Sequence, residues 1–334
     1  DHRSSYLLNS SIEEIENADA ILLVGCNPRW EAAVLNARIR KAYINKDCKI
    51  GLIGPKLNLS YKYEHLSNDL SFLNDILDEK SKFNEILKNS KNTIIFIGTS
   101  AINHEKGKDV IQICAEISKK YPFLDNQLKG LNILQQNISR VSALDLGFYS
   151  KNFNNNFNLS IKNHIEKTKP VVFLLNLDEI DFSTLENAYV VYFGHHGDQG
   201  ASFADVILPV PAFPERTSTF VNTEGRTMQT SKCFHPLGDA KEEWKIFRAI
   251  SEQFNINLNF DNLTELRKEI IKNYPHLGEL NVLPKNESQY FGKKNKIDKK
   301  LIEYNITNFY MTDCISRSSE TMANCTKENL NKVA

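Results

Sequence analysis

Ala20-Ile-Leu-Leu-Val-Gly25 is an unbroken apolar run, preceded by Asn17 and Asp19 and followed by Cys26-Asn27-Pro28. Apolar residues without polar alternation describe a strand buried on both faces, which is the kind a parallel sheet holds. Past Pro28, the segment Arg29–Tyr43 carries Trp30, Ala33, Val34, Ala37, Ile39 and Tyr43 at three- and four-residue steps, with Arg38, Arg40 and Lys41 near its end. Cations in a last turn suit a helix C-terminus. Lys49-Ile-Gly-Leu-Ile-Gly54 then reads as a second short strand closed by Pro55. This strand, helix and strand form one unit with a right-handed crossover.

The pattern repeats along the chain. After a polar, helix-like stretch from Leu66 to Asn89, Thr93-Ile-Ile-Phe-Ile-Gly98 reads as a strand and Gly107–Lys119 as an amphipathic helix. An Asn-rich, weakly periodic segment, 152–169, is the expected boundary or surface loop. Strands resume at Pro170–Leu175, Asn187–Phe193 and Ala204–Pro209, and Lys241–Phe254 is a second amphipathic helix. The fold class is therefore α/β, doubly wound, with mainly parallel sheets in two packed subdomains. The expected division is 1–150, 151–255 and an irregular or helical tail, 256–334. In that tail Lys293, Lys294, Lys296, Lys299 and Lys300 read as a solvated linker, and Thr312 or Asp313 caps a short helix reaching Asn324.

Composition narrows the function. Over 334 residues, 41 Lys plus Arg balance 41 Asp plus Glu, which disfavours a nucleic-acid binder; 41% hydrophobic and 25% charged residues are ordinary globular values. Apolar runs stop after about half a dozen residues where a membrane helix needs roughly 20. Six scattered Cys residues, without a CxxC pair or a neighbouring His at zinc-ligand spacing, point away from a disulfide framework and toward a reducing compartment. The chain opens on Asp1 rather than Met, as a trimmed or processed piece would.

Three motifs invite chemistry. Val24–Arg29 stands where a strand hands over to a helix, the place where an α/β sheet collects phosphates, but it lacks the GxGxxG spacing. Gly194-His-His-Gly-Asp198 follows a strand; adjacent histidines in an extended segment point to opposite faces, so they make poor joint metal ligands. Val221-Asn-Thr-Glu-Gly-Arg226 gathers an amide, a carboxylate, a glycine turn and a guanidinium. It reads either as a loop recognising a polar heterocycle or as a turn whose Glu224 and Arg226 satisfy local backbone groups. No nucleophile, paired-carboxylate or HExxH arrangement stands out.

Taken together, these motifs resemble one family: the carboxyl-terminal, molybdopterin-oxidoreductase-like part of the large iron–sulfur subunit of respiratory complex I. The likeness runs through Asp1-His-Arg-Ser-Ser-Tyr-Leu-Leu-Asn9, Val24–Arg29 with Asn36–Arg40, Ser142-Ala-Leu-Asp-Leu-Gly147, Gly194–Asp198, Ala204–Pro209, Val221–Arg226, Glu243–Ile246 and Phe309-Tyr-Met-Thr-Asp-Cys-Ile-Ser-Arg317. It implies a scaffold supporting electron transfer from NADH through iron–sulfur clusters to ubiquinone, with no catalytic or metal residue of its own. In true molybdenum relatives the matching segments hold a molybdopterin guanine dinucleotide, so Gly25, Asn27, Pro28, Asp205, Asn222, Glu224 and Arg226 are implied as a vestigial pocket. The 4Fe-4S and 2Fe-2S clusters are implied for an N-terminal region outside this chain, which also completes the second subdomain. Implied partners are the other peripheral-arm subunits, including the flavin- and NADH-binding one. The implied location is the matrix side of the mitochondrial inner membrane, or the cytoplasmic face of a bacterial plasma membrane. The alternatives are a live molybdopterin oxidoreductase with a pocket between the subdomains, and a plain nucleotide-binding dehydrogenase.

Overall fold

The computed structural model describes residues 2–124, 128–149, 157–284, 290–304, 306 and 308–330. The chain forms two units: Asp1–Phe148 with Phe220–Thr227 and Leu280–Phe309, and Tyr149–Thr219 with Met228–Glu279 and Tyr310–Ala334.

In the first unit, all five residues of β1 (Ala20–Val24) are buried, as an apolar run in a central strand requires. The predicted helix after it is two pieces, α1 (Pro28–Glu31) and α2 (Ala33–Lys46), because Ala32 sits at φ −154° and ψ 65°. β2 (Lys49–Ile53) and β3 (Glu64–Ser67) follow. The polar, helix-like stretch 66–89 is thus a strand end followed by α3 (Phe72–Leu77) and α4 (Phe83–Asn89), with Glu79 at φ +61° stopping helical propagation between them. β4 (Thr93–Ile97), α5 (Thr99–Ile102), α6 (Gly107–Lys120), β5 (Leu131–Ile133) and α7 (Arg140–Asp145) complete the succession.

The five strands are all parallel in the order β3-β2-β1-β4-β5, with Ala20 level with Lys49 on one side and Thr93 on the other. Alternate side chains feed two cores. Leu22, Val24, Ile95 and Ile97 pack with Leu73, Phe83, Val110 and Ile113. Ile21, Leu23, Ile94 and Phe96 pack with Leu8, Ile15, Leu35 and Ile39. Each such buried aliphatic side chain contributes about 1.5–3 kcal/mol.

The late segment 290–304 belongs to this unit rather than to a solvated linker. Ile297 and Ile302 are buried in the same core as Leu22, while Lys300 stays outside and pairs with Glu105. Main-chain bonds from Leu70 to the Lys300 carbonyl and from Ile302 to the Asn68 carbonyl seat the strap beside β3. It is held by two apolar anchors among solvated lysines, a spacing that carries no periodic signal.

The second unit opens with α8 (Phe157–Thr168), which occupies most of the segment expected as a boundary or surface loop; residues 150–156 lie outside the described ones. Ile161 and Ile165, one helical turn apart, pack on Leu174, Leu185 and Val190 and explain it. β6 (Val171–Leu175), β7 (Tyr189–Gly194), α9 (Gln199–Phe203) and β8 (Val206–Pro209) form a parallel sheet in the order β6-β7-β8 with its helix. A short pair, β9 (Thr219–Val221) and β10 (Thr227–Gln229), follows and brackets the turn 220–227 that counts with the first unit. α10 (Glu243–Gln253) lays Ile246 and Phe247 on Val191 and Phe193. Beyond it lie α11 (Leu263–Asn273), α12 (Cys314–Arg317) and α13 (Glu320–Leu330). Asp313 caps α12 as the sequence suggests, but that helix stops at Arg317 and α13 begins at Glu320, where one helix reaching Asn324 is expected. On β6, Val171, Phe173 and Leu175 are left 55%, 41% and 43% exposed. Among the described residues, no helix is long and apolar enough to cross a membrane.

Candidate functional site

In a parallel sheet wound outward in both directions, the crevice for ligands opens at the carboxyl ends of the two strands where the winding reverses. Here those strands are β1 and β4, and their ends are Gly25–Asn27 and Gly98–Thr99. Both Asn27 and Thr99 present backbone amides there, as an anion site needs.

Those amides are already engaged by the chain's own carboxylate. Glu31, at the end of α1, accepts the Asn27 amide at 2.7 Å and the Thr99 amide at 3.1 Å, one oxygen to each. Burial pushes the Glu31 carboxyl above its ordinary value of 4.5, and the bonds from Asn27 and Thr99 offset part of that rise.

The remaining space is filled from the strap. Gly25 has φ +52°, and a β-carbon there would overlap Cδ1 of Ile302 and lie 2.7 Å from Cβ of Ala101. Tyr304 donates its hydroxyl to the Pro55 carbonyl at 2.9 Å, and burial drives its phenol well above the usual range. Phe309 packs on Trp30 with ring centroids 5.6 Å apart. Of the side chain of Asn27, Oδ1 is buried without a hydrogen-bond partner. It is an acceptor, so it offers nothing to a phosphate. The Cys26 thiol is fully buried and pushed well above its ordinary value by that burial, so it supplies no nucleophile. At this edge the residues do not fit a molybdopterin guanine dinucleotide. The backbone donors at Asn27 and Thr99 are spent on Glu31, whose carboxylate would oppose a phosphate, and Ile302 holds the crevice.

The Asn222–Arg226 turn is likewise occupied with the fold. Asn222 Oδ1 accepts the amides of Glu224 and Arg226 at 3.0 and 2.9 Å. Glu224, buried, accepts the Ile12 amide at 2.8 Å and the Asn222 side-chain amide at 3.1 Å. Arg226 donates to the Asn281 carbonyl at 2.7 Å. Gly225, at φ +80°, offers its carbonyl to Arg3 at 3.0 Å. Arg3 also grips Asp145 through two bonds of 2.9 Å, and Tyr6 donates to the same carboxylate at 2.7 Å. Of the two readings open from sequence, the local backbone role is the one these bonds describe.

Asp205 lies in the other unit, exposed, where its carboxylate accepts the Val190 amide at 2.7 Å and its own amide returns to the Val190 carbonyl. The vestigial-pocket candidates thus divide: Gly25, Asn27 and Pro28 at one strand end, Asn222, Glu224 and Arg226 in one turn, and Asp205 in the second unit. Sequence reasoning missed Glu31, Thr99, Ile302 and Tyr304.

The two histidines correct another expectation. Because β7 ends at Gly194, His195 and His196 are not in extended strand; their rings meet edge to face with centroids 4.9 Å apart and Nδ1 atoms 2.7 Å apart. Cys314 lies with them, one ligand atom from each residue falling within 4.8 Å of the others. Burial and then His196 hold the His195 imidazole below its ordinary 6.5.

Comparison with known proteins gives a consistent family. The Molybdopterin oxidoreductase profile matches residues 1–253, and the profile for the C-terminal part of an NADH-ubiquinone oxidoreductase subunit matches residues 280–325. The chain is 38% identical to the NADH-ubiquinone oxidoreductase 75 kDa subunit of Reclinomonas americana, over 97% of this chain and 47% of that protein. It is 38% identical to the mitochondrial NADH-ubiquinone oxidoreductase 78 kDa subunit of Neurospora crassa, over 97% and 44%. Against the corresponding subunit of the NADH-quinone oxidoreductase of Rickettsia bellii it is 36% identical, over 97% and 46%. The chain spans about half the length of these curated relatives. Among solved structures, acetylene hydratase from Pelobacter acetylenicus aligns at 11% identity and a TM-score of 0.40, over 74% of this chain and 50% of that one.

Proposed function

The chain belongs to the molybdopterin oxidoreductase family and corresponds to the C-terminal region of the 75/78 kDa subunit of NADH-ubiquinone oxidoreductase, and from that premise we propose that it is a non-catalytic scaffold in the peripheral arm of respiratory complex I. It supports transfer of electrons from NADH to ubiquinone through iron–sulfur clusters held in the N-terminal part of the full subunit. Its partners are the neighbouring peripheral-arm subunits, among them the one that binds flavin and NADH. Its place is the matrix side of the mitochondrial inner membrane, or the corresponding cytoplasmic face in a bacterium.

The observation that carries this reading is Glu31 on the Asn27 and Thr99 amides, with Ile302 against Gly25. Donors that hold a cofactor's phosphates have to be left free for it, whereas here Glu31 satisfies them and the segment 220–227 is knitted to Arg3, Leu8 and Ile12. The exposed apolar residues of β6 suit a protein that packs among subunits. The test is elemental and pterin analysis of the native complex containing the full-length subunit. The expected result is iron without molybdenum, tungsten or pterin. Molybdenum or tungsten near one per chain would establish the live oxidoreductase instead.

A further inference from the structure

Cys314 lies more than a hundred positions from the adjacent pair His195 and His196, yet the fold makes the three neighbours by identifiable means. The two histidines leave the end of β7, whose last carbonyl, that of Gly194, is tied to the Val210 amide at 3.1 Å. Cys314 opens α12, whose amides at Ile315 and Ser316 are capped by Asp313 at 2.9 and 3.1 Å. Arg317 of the same turn reaches back to Asp198 at 2.6 Å and Glu179 at 2.9 Å. That ion pair, two residues beyond His196, fixes the cysteine against the histidine pair.

We propose that His195, His196 and Cys314 form a zinc(II) site. All three lie in the second unit, and their ligand atoms sit within 4.8 Å of one another. Two imidazoles and a thiolate are a borderline-soft donor set, suited to zinc and not to magnesium or calcium. Zinc bond lengths place tetrahedral ligand atoms roughly 3.3–3.6 Å apart. The Nδ1 atoms are 2.7 Å apart and the three ligand atoms lie within 4.8 Å of one another, so small side-chain shifts bring the set to that spacing. His196 is exposed and its ring can turn without disturbing the core.

The charge around the thiol favours a cation, with Asp178, Asp198 and Asp313 acting on it against the single guanidinium of Arg317. Arg216, Glu215 and Glu243 also act on His195, two carboxylates against one guanidinium. On binding, the Cys314 thiol proton leaves to solvent and the sulfur lone pair bonds the metal, with no change of oxidation state. Three protein ligands leave the fourth position to water. The proposal does not depend on the scaffold reading, since its readout is metal binding by this chain.

The test uses the full-length subunit that contains this chain, stripped of loosely held metal with a mild chelator and titrated first with zinc against a chromophoric indicator, then with cobalt(II), read as the difference from the untitrated protein. The expected result is one equivalent bound, with a near-ultraviolet thiolate-to-cobalt charge-transfer band. Cys314→Ser abolishes the band, and both Cys314→Ser and His196→Ala weaken zinc binding at least tenfold, while Cys233→Ser, at an exposed thiol outside the cluster, changes neither. Absence of the band, or equal zinc affinity in the parent and His196→Ala, overturns the site. Because His196 is exposed, that variant decides the matter even where Cys314→Ser lowers folding yield.

Discussion

Gly25 and Ile302, 277 positions apart in sequence, share one volume: a β-carbon on the glycine would occupy the space held by the isoleucine Cδ1. Gly25→Ala therefore adds a clash to the strain of φ +52°. Stability should fall by about 2–4 kcal/mol. Ile302→Ala alone should cost about 2–5 kcal/mol through the cavity it leaves. The double variant should be better than the sum by about 1 kcal/mol or more, since the second change removes the clash of the first. Urea denaturation of the four proteins measures this, and strict additivity would mean that the strap does not seat on Gly25.

Glu31 gives a pH signature. Its folded carboxyl titrates above the ordinary 4.5 because of burial, with the Asn27 and Thr99 bonds pulling the other way. A group raised on folding contributes stability that is complete below its unfolded value and lost as pH rises through its folded one. Glu31→Gln removes that contribution. The variant should therefore lag the parent more at pH 4.5 than at pH 8, and thermal melts across that range should show the gap widening toward acid. A gap that widens toward alkali would place the folded carboxyl below its ordinary range.

Asn222 holds two backbone amides with one oxygen. Asn222→Ala strands both and should destabilise the chain by about 2–3 kcal/mol. Asn222→Asp keeps the acceptor for both amides but replaces the donor facing the buried Glu224 carboxylate with a second carboxylate oxygen, so it preserves the turn's local bonds at the cost of like-charge repulsion. Hydrogen exchange at Glu224 and Arg226 reports the same event locally: fast in the alanine variant, protected in the aspartate one. Equal protection in both would show that the turn holds itself without the side chain.

The strands were legible because each is a local statement: Ala20–Val24 and Thr93–Ile97 announce burial on both faces without reference to anything else. Breaks inside helical patterns were not, since Ala32 and Glu79 carry no residue type that demands them. α11 was read as tail; its Ile270 and Ile271 lie among charged residues in a short amphipathic pattern. The filled crevice was illegible for a deeper reason. Glu31 looks like any acidic residue near a helix start, and its role depends on Thr99, 68 positions on. Ile302 and Tyr304 depend on partners still more distant. The histidine pair failed because one glycine ends the strand just before it.

The strap that closes the first unit also sets a schedule for making the protein. A ribosome releases the chain from its N-terminus, and domains commonly fold as they emerge. Here Leu22, Val24 and Ile97 wait for Ile297 and Ile302, and Gly54 and Pro55 wait for Tyr304. All of the second unit's strands are synthesised in the interval. During that time the crevice at β1 and β4 stands open, with apolar walls exposed to the cytosol or organelle in which translation proceeds. A nascent chain halted before residue 297 should thus be a client for a chaperone, and one released after residue 304 should not.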